Sequence, residues 1–181
     1  MDEVLRTLDP SVVEHLAAAR LLALDVDGVL TGGRVQYVGG EELQSFCVQD
    51  GQGLVFLRRA GIEVTWITGR GCDATARRAR ELGIDELHIG VGPKREVLEG
   101  VQARLGIGVH ETIAMGDDLP DFGLAARAAL LCAPANARPE VRERAAHVTA
   151  VRGGRGAVRE VVELILRAQG RWQAIVDAAG S

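Results

Sequence analysis

The sequence predicts an α/β fold: a doubly wound, mostly parallel sheet with helices on both faces. Two observations lead there. Short apolar runs of strand length alternate with segments of helix length, the signature of successive βαβ units. The polar groups best suited to chemistry, Asp25 and Asp27, Thr68 to Arg70, and Asp117 to Asp118, all fall at the carboxyl ends of predicted strands. In this architecture ligands bind beyond those ends.

The elements follow in order. Asp9-Pro10 opens a capped helix over 11–20, with the proline in its first turn. Leu21-Leu22-Ala23-Leu24 reads as a buried strand that stops in Asp25-Val26-Asp27-Gly28. Residues 34–46 form two β arms around Gly39-Gly40, a hairpin signal. Asp50-Gly51 opens a helix to about Arg59, stopped by Gly61. A strand over 62–67 ends in Thr68-Gly69-Arg70, and a helix over 73–82 follows. A short strand covers 86–89, and a helix runs over 93–105 with proline at its start. The strand at 112–115 ends in Gly116-Asp117-Asp118, and a short helix comes next. A strand over 129–132, a helix from Pro139, a short strand at 147–149 and apolar helices over 156–168 and 171–178 complete the chain. Residues 1–181 read as one domain, with a hairpin insertion at about 33–47 and a tail from about 151.

Composition narrows the function classes. A net charge of −4 argues against a broad nucleic-acid footprint, and 3% aromatics leaves no stacking platform for bases. No apolar stretch is long enough to span a bilayer, and the start Met1-Asp2-Glu3-Val4 lacks a signal-peptide pattern. Cys47, Cys72 and Cys132 show no metal spacing and cannot all pair, which predicts a reducing, cytoplasmic setting. Of 21 basic residues only Lys94 is a lysine, which points to a site where a compact ammonium is required.

Strand alternation sends residues i and i+2 to one face, so the carboxylates of Asp25 and Asp27 end up side by side. Like charges at that spacing repel unless a cation lies between them. A divalent metal, or a division into nucleophile and acid, gives the pair a purpose.

The run Asp25-Val26-Asp27-Gly28-Val29-Leu30-Thr31 resembles the first motif of the haloacid dehalogenase superfamily of phosphatases. Thr68, Lys94 and Gly116-Asp117-Asp118 match its three later motifs in order. The resemblance implies a nucleophile, Asp25, that attacks phosphorus, and an acid and base, Asp27. Thr68 offers a hydroxyl to a phosphoryl oxygen, and Lys94 supplies fixed positive charge. Magnesium is expected on Asp25, the backbone carbonyl of Asp27, and Asp117, with Asp118 further out. Asp121 reads as a helix-start carboxylate.

Gly40-Glu41-Glu42-Leu43, Phe46 with Asp50-Gly51-x-Gly53, Ile67-Thr68-Gly69-Arg70 and the string from Gly153 to Glu160 narrow the resemblance. They are similar to the subfamily of 3-deoxy-D-manno-octulosonate 8-phosphate (KDO 8-phosphate) phosphatases, over about 21–169. That likeness implies contacts to a sugar phosphate from Cys47, Val48, Gln49, Asp50, Gly51, Gly69, Arg70, Arg78, Lys94 and Asp27. Arg70 and Arg78, eight apart, are expected on one face of a helix. Gln49, Val55 and Gly32 depart from the family pattern and remove charged groups around the sugar. The hairpin also reads one residue shorter than usual. Nine-carbon acids such as acylneuraminate 9-phosphates are the alternative substrates, and a non-catalytic sugar-phosphate-binding subunit is the alternative class. A halide-releasing hydrolase of the same superfamily conflicts with the acidic fourth motif. No interval has room for a cap domain, so neighbouring subunits of a homotetramer are expected to cover the site.

Overall fold

A computed structural model describes residues 2–179. Its sheet has six parallel strands: β1 (Leu21–Leu24), β4 (Glu63–Ile67), β5 (Glu86–His88), β6 (Thr112–Met115), β7 (Leu130–Ala133) and β8 (His147–Val148). They lie in the order β5-β4-β1-β6-β7-β8. The chain first builds outward from β1 through β4 and β5, then returns to β1's other edge for β6. That reversal is the topological switch, the place where such sheets open a crevice. β2 (Gln36–Val38) and β3 (Glu41–Leu43) form a separate antiparallel hairpin, turned at Gly39-Gly40.

Every residue of β1 is buried, and successive side chains serve opposite cores. Leu22 and Leu24 pack with α1 (Pro10–Ala18), α2 (Val48–Arg59) and α7 (Ala157–Ala168). Leu21 and Ala23 face α4 (Lys94–Leu105), α5 (Phe122–Ala125) and α6 (Pro139–Arg144). α7 buries Val158, Val161, Val162, Leu164, Ile165 and Leu166. At about 1.5–3 kcal/mol per fully buried aliphatic side chain, this one helix is a major source of stability. α3 (Asp73–Leu82) and α8 (Trp172–Ala179) complete the layers.

Three local features differ from the expectations above. α2 starts at Val48 rather than at Asp50, because Asp50 turns away from its own helix. Its carboxylate accepts from the backbone N–H groups of Gly156 (3.2 Å) and Arg159 (2.8 Å), at the start of α7. Gly51 therefore lies inside α2, where a side chain would collide with the Arg78 guanidinium. Arg70 does not share a helix face with Arg78: α3 begins at Asp73, and Arg70 sits in the bend after β4.

The tail just before α7 has a structural reason for its glycines. Gly154 N–H donates to Val29 O (2.8 Å), and a Cβ on Gly153 would overlap the Gly28 carbonyl oxygen. The Gly153-Gly154 turn thus presses backbone to backbone on the loop that follows Asp27. Phe46 roots the hairpin by bridging Thr31 and stacking on buried Trp66, with ring centroids 6.3 Å apart. Among the described residues no helix is long and apolar enough to cross a membrane.

Candidate active site

At the switch between β1 and β6, the first residues past each strand meet. Asp25 follows β1, Asp117 follows Gly116 after β6, and one oxygen from each of Asp25, Asp117 and Asp121 lies within 4.8 Å of the others. Lys94, the first residue of α4, reaches this group from below. Its Nζ donates to Asp25 Oδ1 at 2.5 Å and to Asp121 Oδ1 at 2.6 Å, and only 8% of the side chain is exposed. An ammonium can meet two carboxylates in so small a space, whereas a planar guanidinium has a wider fixed fork. The isolated lysine thus has a geometric rationale.

Three carboxylates around one ammonium leave a formal excess of two negative charges. Burial drives the Asp25 carboxyl up to about 8, reinforced by Asp121 and opposed by Lys94. Burial likewise drives Asp117 up to about 7, with Asp121 and Asp118 adding to the effect. Lys94 is raised despite its burial, because Asp25 and Asp121 stabilise its charge. The site is starved of positive charge, and its donors are hard oxygens.

Asp121 exceeds the helix-start role read from the sequence. Its second oxygen accepts from the N–H groups of Asp117 (2.8 Å) and Asp118 (3.1 Å), so it both anchors Lys94 and shapes the loop. Asp118 is exposed, and its carboxylate accepts from Leu119 N–H (2.8 Å). Gly28, at φ +100°, lies against the Asp117 carboxylate where any side chain would clash.

Asp27 does not stand beside Asp25 as an unbroken strand would place it. The chain turns at Val26, whose carbonyl accepts from Val29, Leu30 and Thr31, and half-buried Asp27 points elsewhere. It accepts from Gln44 Nε2 at 3.0 Å and from the Thr68 hydroxyl at 3.1 Å. Both aspartates still line one cavity of about 380 Å³, together with Thr68, Gly69, Arg70, Lys94, Asp117 and Asp118. Arg70 enters it while paired with Glu42 of the hairpin at 2.8 Å.

The remaining expected substrate contacts lie outside that cavity. Cys47, Val48, Gln49, Asp50 and Gly51 belong to the start of α2, and Asp50 is 1% exposed with its oxygens turned to α7. Arg78 covers Gly51 and pairs with Glu81 at 3.3 Å. Gln44 belongs to no sequence motif, yet it contacts Asp27. A second cavity, of about 370 Å³, lies between hairpin and tail and is lined by Arg34, Arg152 and Arg155.

Comparison with known proteins adds to the geometry. Residues 90–161 match the family described as haloacid dehalogenase-like hydrolase. The chain is 41% identical over 166 residues to 3-deoxy-D-manno-octulosonate 8-phosphate phosphatase of Salmonella typhimurium, covering 91% of this chain and 88% of that one. A crystal structure of the Moraxella catarrhalis phosphatase of that name, in complex with magnesium, phosphate and KDO, is similar at a TM-score of 0.89 and 38% identity. That match covers 92% of this chain and 97% of the other. A hypothetical protein from Xanthomonas campestris matches at a TM-score of 0.95 and 38% identity over 100% of both chains.

Proposed function

This chain belongs to the haloacid dehalogenase-like hydrolases and is a phosphoric monoester hydrolase, and we propose that its substrate is KDO 8-phosphate, cleaved to KDO and phosphate with magnesium. The observation that supports this most is the buried Lys94 shared by Asp25 and Asp121 beside Asp117, a cluster lacking two positive charges. A dication brings it to neutrality. Asp25, Asp117 and the backbone carbonyl of Asp27 would hold the ion, with Asp118 at the edge and Asp121 committed to Lys94. Bound there, magnesium supplies charge neutralisation for the phosphoryl oxygens.

The protein's own groups then divide the work. An Asp25 oxygen forms a bond to phosphorus as the bond to the sugar oxygen breaks, and Asp27 gives that oxygen its proton. The aspartyl phosphate is hydrolysed when Asp27 takes a proton from water and the Asp25–phosphorus bond breaks. Thr68 donates to Asp27 before the substrate is bound and to a phosphoryl oxygen afterwards, and Lys94 holds Asp25. Arg70, at the mouth, suits the substrate carboxylate once Glu42 yields or shares it. Cys47–Gly51, at the start of α2, and Arg78, on α3 against Gly51, are the groups assigned to the sugar side of the substrate.

We also infer a homotetramer in which neighbours cover the open cavity. The hairpin leaves Tyr37 68% and Val38 62% exposed, and Arg34, Arg152 and Arg155 have no ion-pair partner among the described residues. Free Cys47, Cys72 and Cys132 fit a cytoplasmic setting. Phosphate release with magnesium from KDO 8-phosphate, compared with an acylneuraminate 9-phosphate, tests the substrate. Asp25→Asn should lower turnover at least ~10⁴-fold. Undiminished turnover in that variant, or release from neither sugar, would refute the proposal.

A further inference from the structure

Asp27 projects from a turn, so the direction of its carboxylate is set by what it touches. Thr68 accepts from Arg70 N–H at 3.1 Å and donates its hydroxyl proton to Asp27 Oδ2 at 3.1 Å. The other oxygen, Oδ1, accepts from the Gln44 amide. The amide oxygen of Gln44 accepts in turn from the hydroxyl of Thr75 at 2.5 Å, and Thr75 is 1% exposed on α3. Reversing the amide would set its oxygen against Asp27 Oδ1 in place of a donor, so this orientation is the one the contact favours. The backbone supporting Gln44 is also fixed: it lies two residues before Phe46, which is anchored to Thr31 and Trp66.

We propose that Gln44 is a positioning residue for Asp27, and that Thr75 sets Gln44. The relay from α3 through the hairpin holds Oδ1; Oδ2, which here accepts from the Thr68 hydroxyl, is freed when that hydroxyl turns to a phosphoryl oxygen and then exchanges the proton. An amide N–H cannot accept a proton, so Oδ1 stays an acceptor throughout the cycle. The inference rests on the reading of Asp27 as acid and base given above. It has a distinctive consequence, because in the first bond-breaking step, which kcat/KM reports, only a substrate whose leaving oxygen needs a proton depends on the aim of Asp27.

The test compares kcat/KM for KDO 8-phosphate, whose alkoxide must be protonated, with p-nitrophenyl phosphate, whose phenolate departs without a proton. Gln44→Leu should lower kcat/KM for the sugar phosphate about 30-fold and for the aryl phosphate less than ~3-fold, within the range that proton transfer supplies. Thr75→Val should show the same selective loss, about 5-fold, and Thr75→Ser, which keeps the hydroxyl, should recover most of it. Gln44→Met gives a second, volume-conserving variant with the same expected pattern, and a thermal melt checks that each variant folds. Equal losses on both substrates would mean that Gln44 supports the phosphate site generally and would overturn the proposal. So would an unchanged sugar-phosphate rate. A wild-type protein inactive on both substrates would instead remove the phosphatase reading itself, and this inference with it.

Discussion

Lys94→Met isolates the electrostatics of the site, since methionine keeps the unbranched stem and deletes the ammonium. The ammonium lies 2.5 Å from Asp25 and 2.6 Å from Asp121, with 8% of the side chain exposed. Removing one partner of a buried ion pair costs about 3–5 kcal/mol, because the other charge is left uncompensated. Here the cluster goes from a formal excess of two negative charges to three. Protonation limits the damage. Asp25 titrates near 8 and Asp117 near 7, both above the ordinary carboxylate value of 3.8.

A raised folded-state pKa means that these groups favour folding below about pH 4, and that this contribution is lost as pH rises through about 7 to 8. Deleting Lys94 raises both further, so the deficit of the variant should grow across that window. In a chelator at about pH 8.5, the full 3–5 kcal/mol corresponds to a fall in Tm of roughly 6–20 °C for a chain of this size. At about pH 5.5 the part of that deficit that comes from Asp25 and Asp117 should vanish, because they then hold their own protons, while Asp121 has still lost its Lys94 partner. Magnesium should stabilise the variant more than the wild type at high pH. Thermal melts at the two pH values, with and without magnesium, measure all of this. A deficit that does not change with pH would show that Lys94 acts by packing alone, and the charge reasoning would fail.

Other predictions are independent of that one. Asp50→Ala strips the start of α7 of its carboxylate acceptor, and should cost about 1–2 kcal/mol in a denaturant melt, the range for a lost helix cap. Gly153→Ala drives a methyl into the Gly28 carbonyl, so both Tm and turnover should drop sharply, whereas Gly32→Ala, with nothing within 4 Å, should be silent. Charging the hairpin with Tyr37→Glu and Val38→Glu should shift the assembly to monomers in light scattering, with turnover falling in parallel.

The parallel sheet was legible in the sequence because periodicity is local: β6 and α3 have the bounds that the pattern implies, and most other ends move by a residue or two. The apolar lead into Asp25 and the solitary Lys94 likewise announced themselves. What escaped was set by partners remote in the chain. Asp50 looks like the opening of its own helix, yet its two acceptors are occupied by groups 106 and 109 residues away. Arg70 and Arg78 share a helical spacing, but α3 begins only at Asp73, after an extended Cys72, so Arg70 stays outside it. Asp121 carries a local signal for a helix start, and its bond to Lys94 spans 27 residues that no periodicity links. Gln44 has no motif at all, since an amide becomes informative only when its neighbours are known.

The Gly153-Gly154 turn has a bearing on how the protein is born. Because the loop behind Asp27 is completed by backbone about 125 residues further along the chain, a ribosome must translate that whole stretch before the turn has its support. Synthesis at roughly 5–20 residues per second therefore sets a delay of roughly 6–25 seconds between the emergence of the first strand and the completion of this turn. Nascent or prematurely terminated chains should be inert, which keeps unfinished copies from hydrolysing phosphate esters.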